Sequence, residues 1–144
     1  MGTHKQDSGL LPMLLKRSAR LIDAHIDRVL KQHGIARSQY RVLYYVARFG
    51  EPTQKELIET MSVQGSTLTS IVDVLVQKGW LVRINDQRDR RSKRVKLTAA
   101  GHQLFEHIPE PARELDVVLR QQLGADAAKK LEGLLKQTIQ QLES

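Results

Sequence analysis

Ile84-Asn85-Asp86-Gln87-Arg88-Asp89-Arg90-Arg91-Ser92-Lys93-Arg94-Val95-Lys96-Leu97-Thr98 is the stretch on which the reading of this chain turns. Leu81, Val82 and Ile84 supply an apolar first strand, and Val95 and Leu97 alternate with Arg94 and Lys96 in a second. That period-2 pattern marks a half-buried hairpin. Arg83, Arg88, Arg90, Arg91, Lys93, Arg94 and Lys96 crowd it, against Asp86 and Asp89. A projecting hairpin of that charge is suited to lie against a polyanion. Taken alone, it also reads as a solvated turn that keeps the surface soluble.

The residues before the hairpin decide between these. Thr53-Gln54-Lys55-Glu56 is a capping-box pattern, in which the Thr and Glu side chains satisfy each other's backbone amides, and it predicts a helix to about Met61. A second helix is predicted from about Gln64 to Lys78, with Leu68, Ile71, Val72 and Leu75 at helical spacing and Gly79 as its stop. Its opposite face carries Ser66, Thr67, Ser70, Asp73, Val74 and Gln77. Short hydrogen-bonding side chains near a helix N-terminus suit a helix that must enter a major groove. Such a face alone is an ordinary amphipathic surface. Two short helices followed directly by a basic hairpin form a winged helix-turn-helix.

Gln39-Tyr-Arg-Val-Leu43, Thr53-Gln-Lys-Glu-Leu57, Ser66 to Leu75, Lys78-Gly79, and Asp89-Arg-Arg followed by Val95-Lys-Leu-Thr-Ala-Ala-Gly101 together resemble the MarR family of bacterial transcriptional regulators. The resemblance covers roughly residues 10 to 142. Its specific part is the Asp-Arg-Arg wing with Leu-Thr-x-x-Gly behind it, and it departs from the commonest pattern at Ser70 and Trp80. It implies a DNA-binding transcriptional regulator: a homodimeric repressor of a pseudo-palindromic operator in double-stranded DNA, released by a small aromatic or phenolic effector. The alternatives are a winged-helix protein-interaction module or an activator without ligand control.

The resemblance also suggests roles. Arg91 enters the minor groove, with Asp89 holding an arginine in place by a charge-assisted hydrogen bond. A narrow A·T-rich minor groove concentrates negative potential and draws in guanidinium groups. Arg88, Arg90, Lys93 and Arg94 are then phosphate contacts or structural partners, and either Arg90 or Arg91 can instead tie the wing to the body. On the second helix, Gly65, Ser66, Thr67, Ser70 and Val74 are expected nearest the bases and Thr69 at a phosphate. Gln54 and Lys55 stand where helix amides and a cation hold a phosphate. Glycine at 65 permits close backbone approach or simply eases the turn. In the family a ligand commonly sits between the dimerisation helices and the winged helix. Arg17, Arg20, His25, Tyr40, Arg41 and Tyr44 are the candidates to line such a crevice, with Tyr45 and His107 nearby; each is also readable as a packing or surface residue.

Composition agrees. The 144 residues suffice for one real core, and 23 Lys and Arg against 16 Asp and Glu give a formal charge of +7. That excess favours an anionic partner. No apolar run approaches the roughly 20 residues of a membrane span, and no signal-peptide pattern follows Met1, so the expectation is a cytoplasmic protein. The absence of cysteine removes thiolate metal sites, disulfides and a cysteine redox switch together. The five histidines show no metal-ligand spacing. No Gly-x-Ser-x-Gly elbow or Gly-rich phosphate loop is present, so neither an enzyme nor a cofactor is expected.

The expected fold is mainly α with a small β-hairpin wing: a winged helix-turn-helix over 35–101, a helical dimerisation region over 9–34 and 102–144, and a flexible tail at 1–8. Leu11, Leu14, Leu15, Leu21, Ile22, Ile26, Val29 and Leu30 form a broad stripe on a first helix from Leu10 to about His33. Another helix is expected from about Ser38 to Phe49. After the wing, Thr98 caps a long helix that Pro109 and Pro111 should kink or break. Leu131, Leu134, Leu135, Ile139 and Leu142 recur at helical spacing in the last helix, from about Ala125 to Leu142. Both terminal helices carry more aliphatic surface than a small DNA-binding domain needs, which points to a second subunit. A two-fold operator with half-sites about 10 base pairs apart would demand one.

Overall fold

Local chemistry sets where the helices begin and end. The computed structural model describes residues 9–89 and 91–144; the tail at 1–8 and Arg90 lie outside the described residues. Helix α1 (Leu11–Lys31) takes Pro12 in its first turn, where the missing N–H leaves no bond unmade. Helix α2 (Arg37–Phe49) follows a short turn, and the Ala36 amide donates to Gln39 Oε1 at 3.1 Å. Helix α3 (Gln54–Met61) starts with the capping box expected of Thr53 and Glu56. Glu56 N donates to Thr53 Oγ1 at 3.1 Å, and Thr53 N donates to Glu56 Oε2 at 2.9 Å. Helix α4 (Gly65–Gln77) stops before Gly79, whose φ of 79° is the left-handed turn that glycine adopts without steric cost.

Strands β1 (Leu81–Asn85) and β2 (Lys93–Leu97) pair antiparallel, with Leu81 opposite Leu97 and Arg83 opposite Val95. The chain just before α3 joins them: Thr53 bridges to Arg94, and Val95 N donates to Pro52 O at 3.0 Å. The prolines divide the chain behind the wing as expected. Helix α5 (Ala99–His107) ends at Ile108, whose backbone is extended, and helix α6 (Pro111–Leu123) begins on Pro111. Helix α7 (Ala125–Glu143) completes the order.

The unit that ends at Ile108 has its core where α2, α4 and the wing meet. Val42, Leu43, Val46, Leu57, Leu68, Val72, Leu75 and Val95 are fully buried there. The Leu-Thr-x-x-Gly motif has a packing reason. Thr98 N donates to the Trp80 carbonyl, and Thr98 Oγ1 both donates to Gly79 O and accepts from Gly101 N at 3.0 Å. A Cβ on residue 101 would fall 2.1 Å from Trp80 O, so only glycine lets α5 seat against the start of the wing. Trp80 is half-buried on the core, with Lys78 Nζ 4.8 Å from its ring centroid.

On α1 only Leu30 is buried; Leu11, Leu14, Leu15, Leu21 and Ile22 are exposed. The second unit, Pro109–Ser144, holds α6 and α7, joined through Gly124. Arg120 ties them, with Nε on Asp116 at 3.0 Å and Nη2 on Glu132 Oε2 at 2.9 Å. Lys136 Nζ donates to the other Glu132 oxygen at 2.8 Å. The α7 stripe of Leu131, Leu134, Leu135, Ile139 and Leu142 is exposed.

Candidate nucleic-acid interface

The turn between α3 and α4 is made by Ser62 in a left-handed conformation, φ 53°. Gly65 is not what the turn requires. Its φ lies outside the left-handed region, and a Cβ there would make an ordinary 3.5 Å contact with Ile58 Cδ1. The turn delivers a helix whose N-cap, Gln64, makes no side-chain capping bond. The first amides of α4 therefore lack a side-chain acceptor and are suited to an anion.

Leu68, Val72 and Leu75 hold α4 to the core, which turns the opposite face to solvent. Gly65, Ser66, Thr67, Thr69, Ser70 and Val74 are all exposed on that side. Thr69 Oγ1 donates to Gly65 O at 2.9 Å and Ser70 Oγ donates to Ser66 O at 3.0 Å. Those hydroxyls direct their protons into the helix and present acceptor lone pairs outward. Lys55 is exposed at the start of α3, and Gln54 beside it is half-buried.

Arg83 links this face to the wing. Its Nε donates to Gln54 Oε1 at 3.1 Å, and its Nη2 pairs with Asp73 Oδ1. One guanidinium thus joins β1, the start of α3 and the outer face of α4. It leaves the Gln54 amide NH2 as the donor available to a ligand and offsets a carboxylate that phosphates would repel. The hairpin signalled Arg83 as one cation among many. Its special position was legible in the strand phase, since a residue two on from Leu81 shares Leu81's inward face.

The wing loop is built by two aspartates used in the same way. Asp86 Oδ1 accepts from Arg88 N at 3.0 Å, and Asp89 Oδ1 accepts from Arg91 N at 2.9 Å. These are Asx-type turns on a repeated Asp-x-Arg, which gives the loop a defined shape. Asp86 N donates to Ser92 O at 3.1 Å, closing its base. The Arg88 amide, and after it Arg94, holds the Asp86 carboxyl below the ordinary aspartate range. Arg88, Asp89, Arg91 and Lys93 are exposed. Besides Arg83, Arg94 ties the wing inward among the described residues, reaching Glu51 O at 2.8 Å and Asp86 Oδ2 at 3.4 Å. Asp89 holds an arginine through its backbone amide in this structure; Arg90 lies outside the described residues.

The candidate ligand residues are spread over two helices. Arg17 and Arg20 are exposed on α1, and His25 is half-buried farther along it. On α2, Arg41 is exposed while Tyr40 and Tyr44 join an aromatic cluster. Tyr40 stacks on Phe105 with centroids 5.8 Å apart, and Tyr44 meets Tyr45 edge-on at 5.3 Å and Phe105 at 6.5 Å. A surface cavity of about 550 Å³ lies between the end of α1 and the start of α2, lined by Asp27, Lys31, Ile35 and Arg37 among others. None of the six candidates lines it. Arg37 pairs there with Asp23 and Asp27, and the Asp23 bond raises its pKa.

Known proteins share this architecture. The profile of the MarR family matches residues 33–92. The chain is 32% identical over 130 residues to the multiple antibiotic resistance protein MarR of Salmonella typhimurium, covering 87% of this chain and 90% of that protein. It is 32% identical over 113 residues to the HTH-type transcriptional regulator PecS of Dickeya dadantii, covering 74% of this chain and 68% of that one. A crystal structure of a cysteine-to-serine mutant of MarR from E. coli, complexed with operator DNA, matches with a TM-score of 0.79 at 31% identity. It covers 89% of this chain and 92% of that chain.

Proposed function

The chain belongs to the MarR family and is a helix-turn-helix transcriptional regulator rather than an enzyme, and from that footing we propose that it is a homodimeric repressor of a pseudo-palindromic operator, released by a small aromatic or phenolic ligand. The observation that carries the DNA half is the exposed hydroxyl-bearing face of α4 beside a wing whose Arg88, Arg91 and Lys93 stand in solvent. In this reading α4 enters the major groove, with Gly65, Ser66, Thr67, Ser70 and Val74 at the base edges and Thr69 at a phosphate. Gln54 and Lys55 hold the backbone from the start of α3. Arg91 enters the minor groove, and Arg88 and Lys93, with Arg90, neutralise flanking phosphates. The relative from E. coli is complexed with operator DNA, and the same use is assigned to this chain.

The aliphatic stripes of α1 and α7 support the dimer. Leu11 is 72% exposed and Leu142 78% in the single chain, and each helix leaves several further large aliphatic side chains of its stripe in water. Residues 35–101 would then bind DNA while 9–34 and 102–144 pair the subunits. Two subunits set two α4 helices one duplex turn apart, and a ligand that favours another spacing releases the DNA by differential affinity. Among the described residues no helix is long and apolar enough to cross a membrane.

A gel shift on random duplex DNA across a salt series, followed by sequencing the fragments retained, tests the DNA half and yields the operator. Binding should weaken steeply with salt and enrich a two-fold sequence. A thermal-shift screen of aromatic carboxylates and phenols, with gel shift on the hits, tests the release. Absence of salt-sensitive binding would move the function to protein partners.

A further inference from the structure

Arg94 is the point where three parts of the DNA-binding unit meet. Its backbone is paired to Ile84 of β1 on one side and bridged to Thr53 on the other. Its side chain turns inward to the Glu51 carbonyl, just ahead of α3, and to Asp86 at the base of the wing loop. Only 30% of the Arg94 side chain and 10% of the Asp86 side chain are exposed. Asp86 in turn shapes the loop through the Arg88 and Ser92 backbones. A chain of contacts thus runs from the start of α3 through one guanidinium and one carboxylate to the loop that carries Arg88 and Arg91.

We propose that Arg94 and Asp86 form a strap that fixes the set of the wing against α3, which makes Arg94 a positioning residue for the wing's arginines and not a phosphate contact. The proposal rests on the DNA-binding reading above. The two views of Arg94 differ in the sign of the effect at Asp86 and in what happens to the flank preference. As a phosphate contact, Arg94 would release one counterion, and its loss would lower the slope of log K against log salt by about 0.9. Asp86 would then be a plain anion near DNA, and discharging it would tighten binding. As a strap, the pair acts through the wing it sets, so removing either end weakens binding in the same direction, and any change in slope comes together with loss of the wing's flank preference.

The test compares wild type with Arg94→Gln and Asp86→Asn. Asp86→Asn keeps one oxygen for the Arg88 amide and turns the atom facing Arg94 into a second donor, which breaks the strap without unmaking the turn. The probe is a duplex selected by the wild-type protein from a random library, made with A·T-rich or G·C-rich flanks and titrated by fluorescence anisotropy across a salt series. Both variants should bind on the order of tenfold more weakly, with the flank preference driven towards one. Amide hydrogen exchange at Asp86 and Val95, measured without DNA, should quicken in both. A tighter-binding Asp86→Asn, a slope lowered by about 0.9 with flank preference intact in Arg94→Gln, or unchanged exchange would each overturn the strap. A wild-type protein that binds no duplex would sink the DNA-binding reading instead, and the exchange rates would still decide the strap.

Discussion

Arg83 and Gln54, 29 residues apart in sequence, meet through a 3.1 Å hydrogen bond from Nε to Oε1, and the same guanidinium pairs with Asp73. The bond sets the Gln54 amide, while the ion pair cancels the one carboxylate on the outer face of α4. Removing Arg83 therefore does two things at once. Gln54 loses its orientation, and Asp73 is left unpaired on the face proposed to meet DNA.

Arg83→Ala should weaken DNA binding by about 1–3 kcal/mol, in the range of a lost charge-assisted contact. Arg83→Ala combined with Asp73→Ala should recover a large part of that loss, because the repulsive carboxylate goes with its partner. Anisotropy titrations of the two single variants and the double give the coupling directly. A double variant as weak as the sum of the singles would mean that Asp73 and Arg83 act independently.

Arg91→Ala should weaken operator binding by about 1–3 kcal/mol while leaving the oligomeric state unchanged. The Arg91 amide is held by Asp89 and the residue is exposed at the loop, so the substitution removes a reaching side chain without a core contact. Retention of full affinity in a fluorescence titration would take the wing tip out of the mechanism.

What was legible in the sequence, and what was not, follows the range of the interactions. The capping box of Thr53 and Glu56, the glycine stop at 79 and the prolines at 109 and 111 act within a few residues, so their signatures survive in the primary order. The hairpin was legible because Val95 and Leu97 carry the strand period. The partner of Arg94 was not: Glu51 lies 43 residues away, and nothing local distinguishes Arg94 from Lys96, which shares its strand phase. The apolar stripes of α1 and α7 were visible as stripes, but their exposure in a single chain depends on how much core the other helices supply. Arg17, Arg20, His25, Tyr40, Arg41 and Tyr44 suit a carboxylate or phenol by residue type, and type alone does not say which side chains converge.

Gly101→Ala should destabilise the fold by about 1–3 kcal/mol, the cost of forcing backbone and core to shift. The added methyl would sit 2.1 Å from the Trp80 carbonyl oxygen, and that oxygen is already fixed by the Thr98 amide. Urea unfolding should show a lower midpoint at an unchanged slope. Wild-type stability would mean that α5 is free to slide off the wing.

Replacing both Leu134 and Leu135 with charged residues should yield monomers or insoluble protein. These residues are 50% and 37% exposed in the single chain, and neither belongs to its buried core. The change destroys the face proposed to be buried by a partner, where two unpaired charges would be expensive. Sedimentation equilibrium distinguishes the outcomes, and an unchanged dimer would place the interface away from α7.

Glu132 should make the unit of α6 and α7 acid-sensitive in a defined window. Lys136 first, and then Arg120, hold its carboxyl down at about 2, against 4.5 for an ordinary glutamate. Between those values the unfolded chain binds the proton and the folded chain does not, so folding is favoured by every step of rising pH there. The contribution is complete above the ordinary value and disappears as pH falls from about 4.5 through about 2. Glu132 is partly exposed, so water and salt screen the interaction and the effect should shrink as salt rises. Neighbouring carboxylates titrate as well, and Glu132→Gln isolates this one. The gap in unfolding midpoint between wild type and Glu132→Gln should be constant above about pH 5 and close as the acid limit is approached. A gap that persists down to pH 2 would show that Glu132 acts through packing and not through its charge.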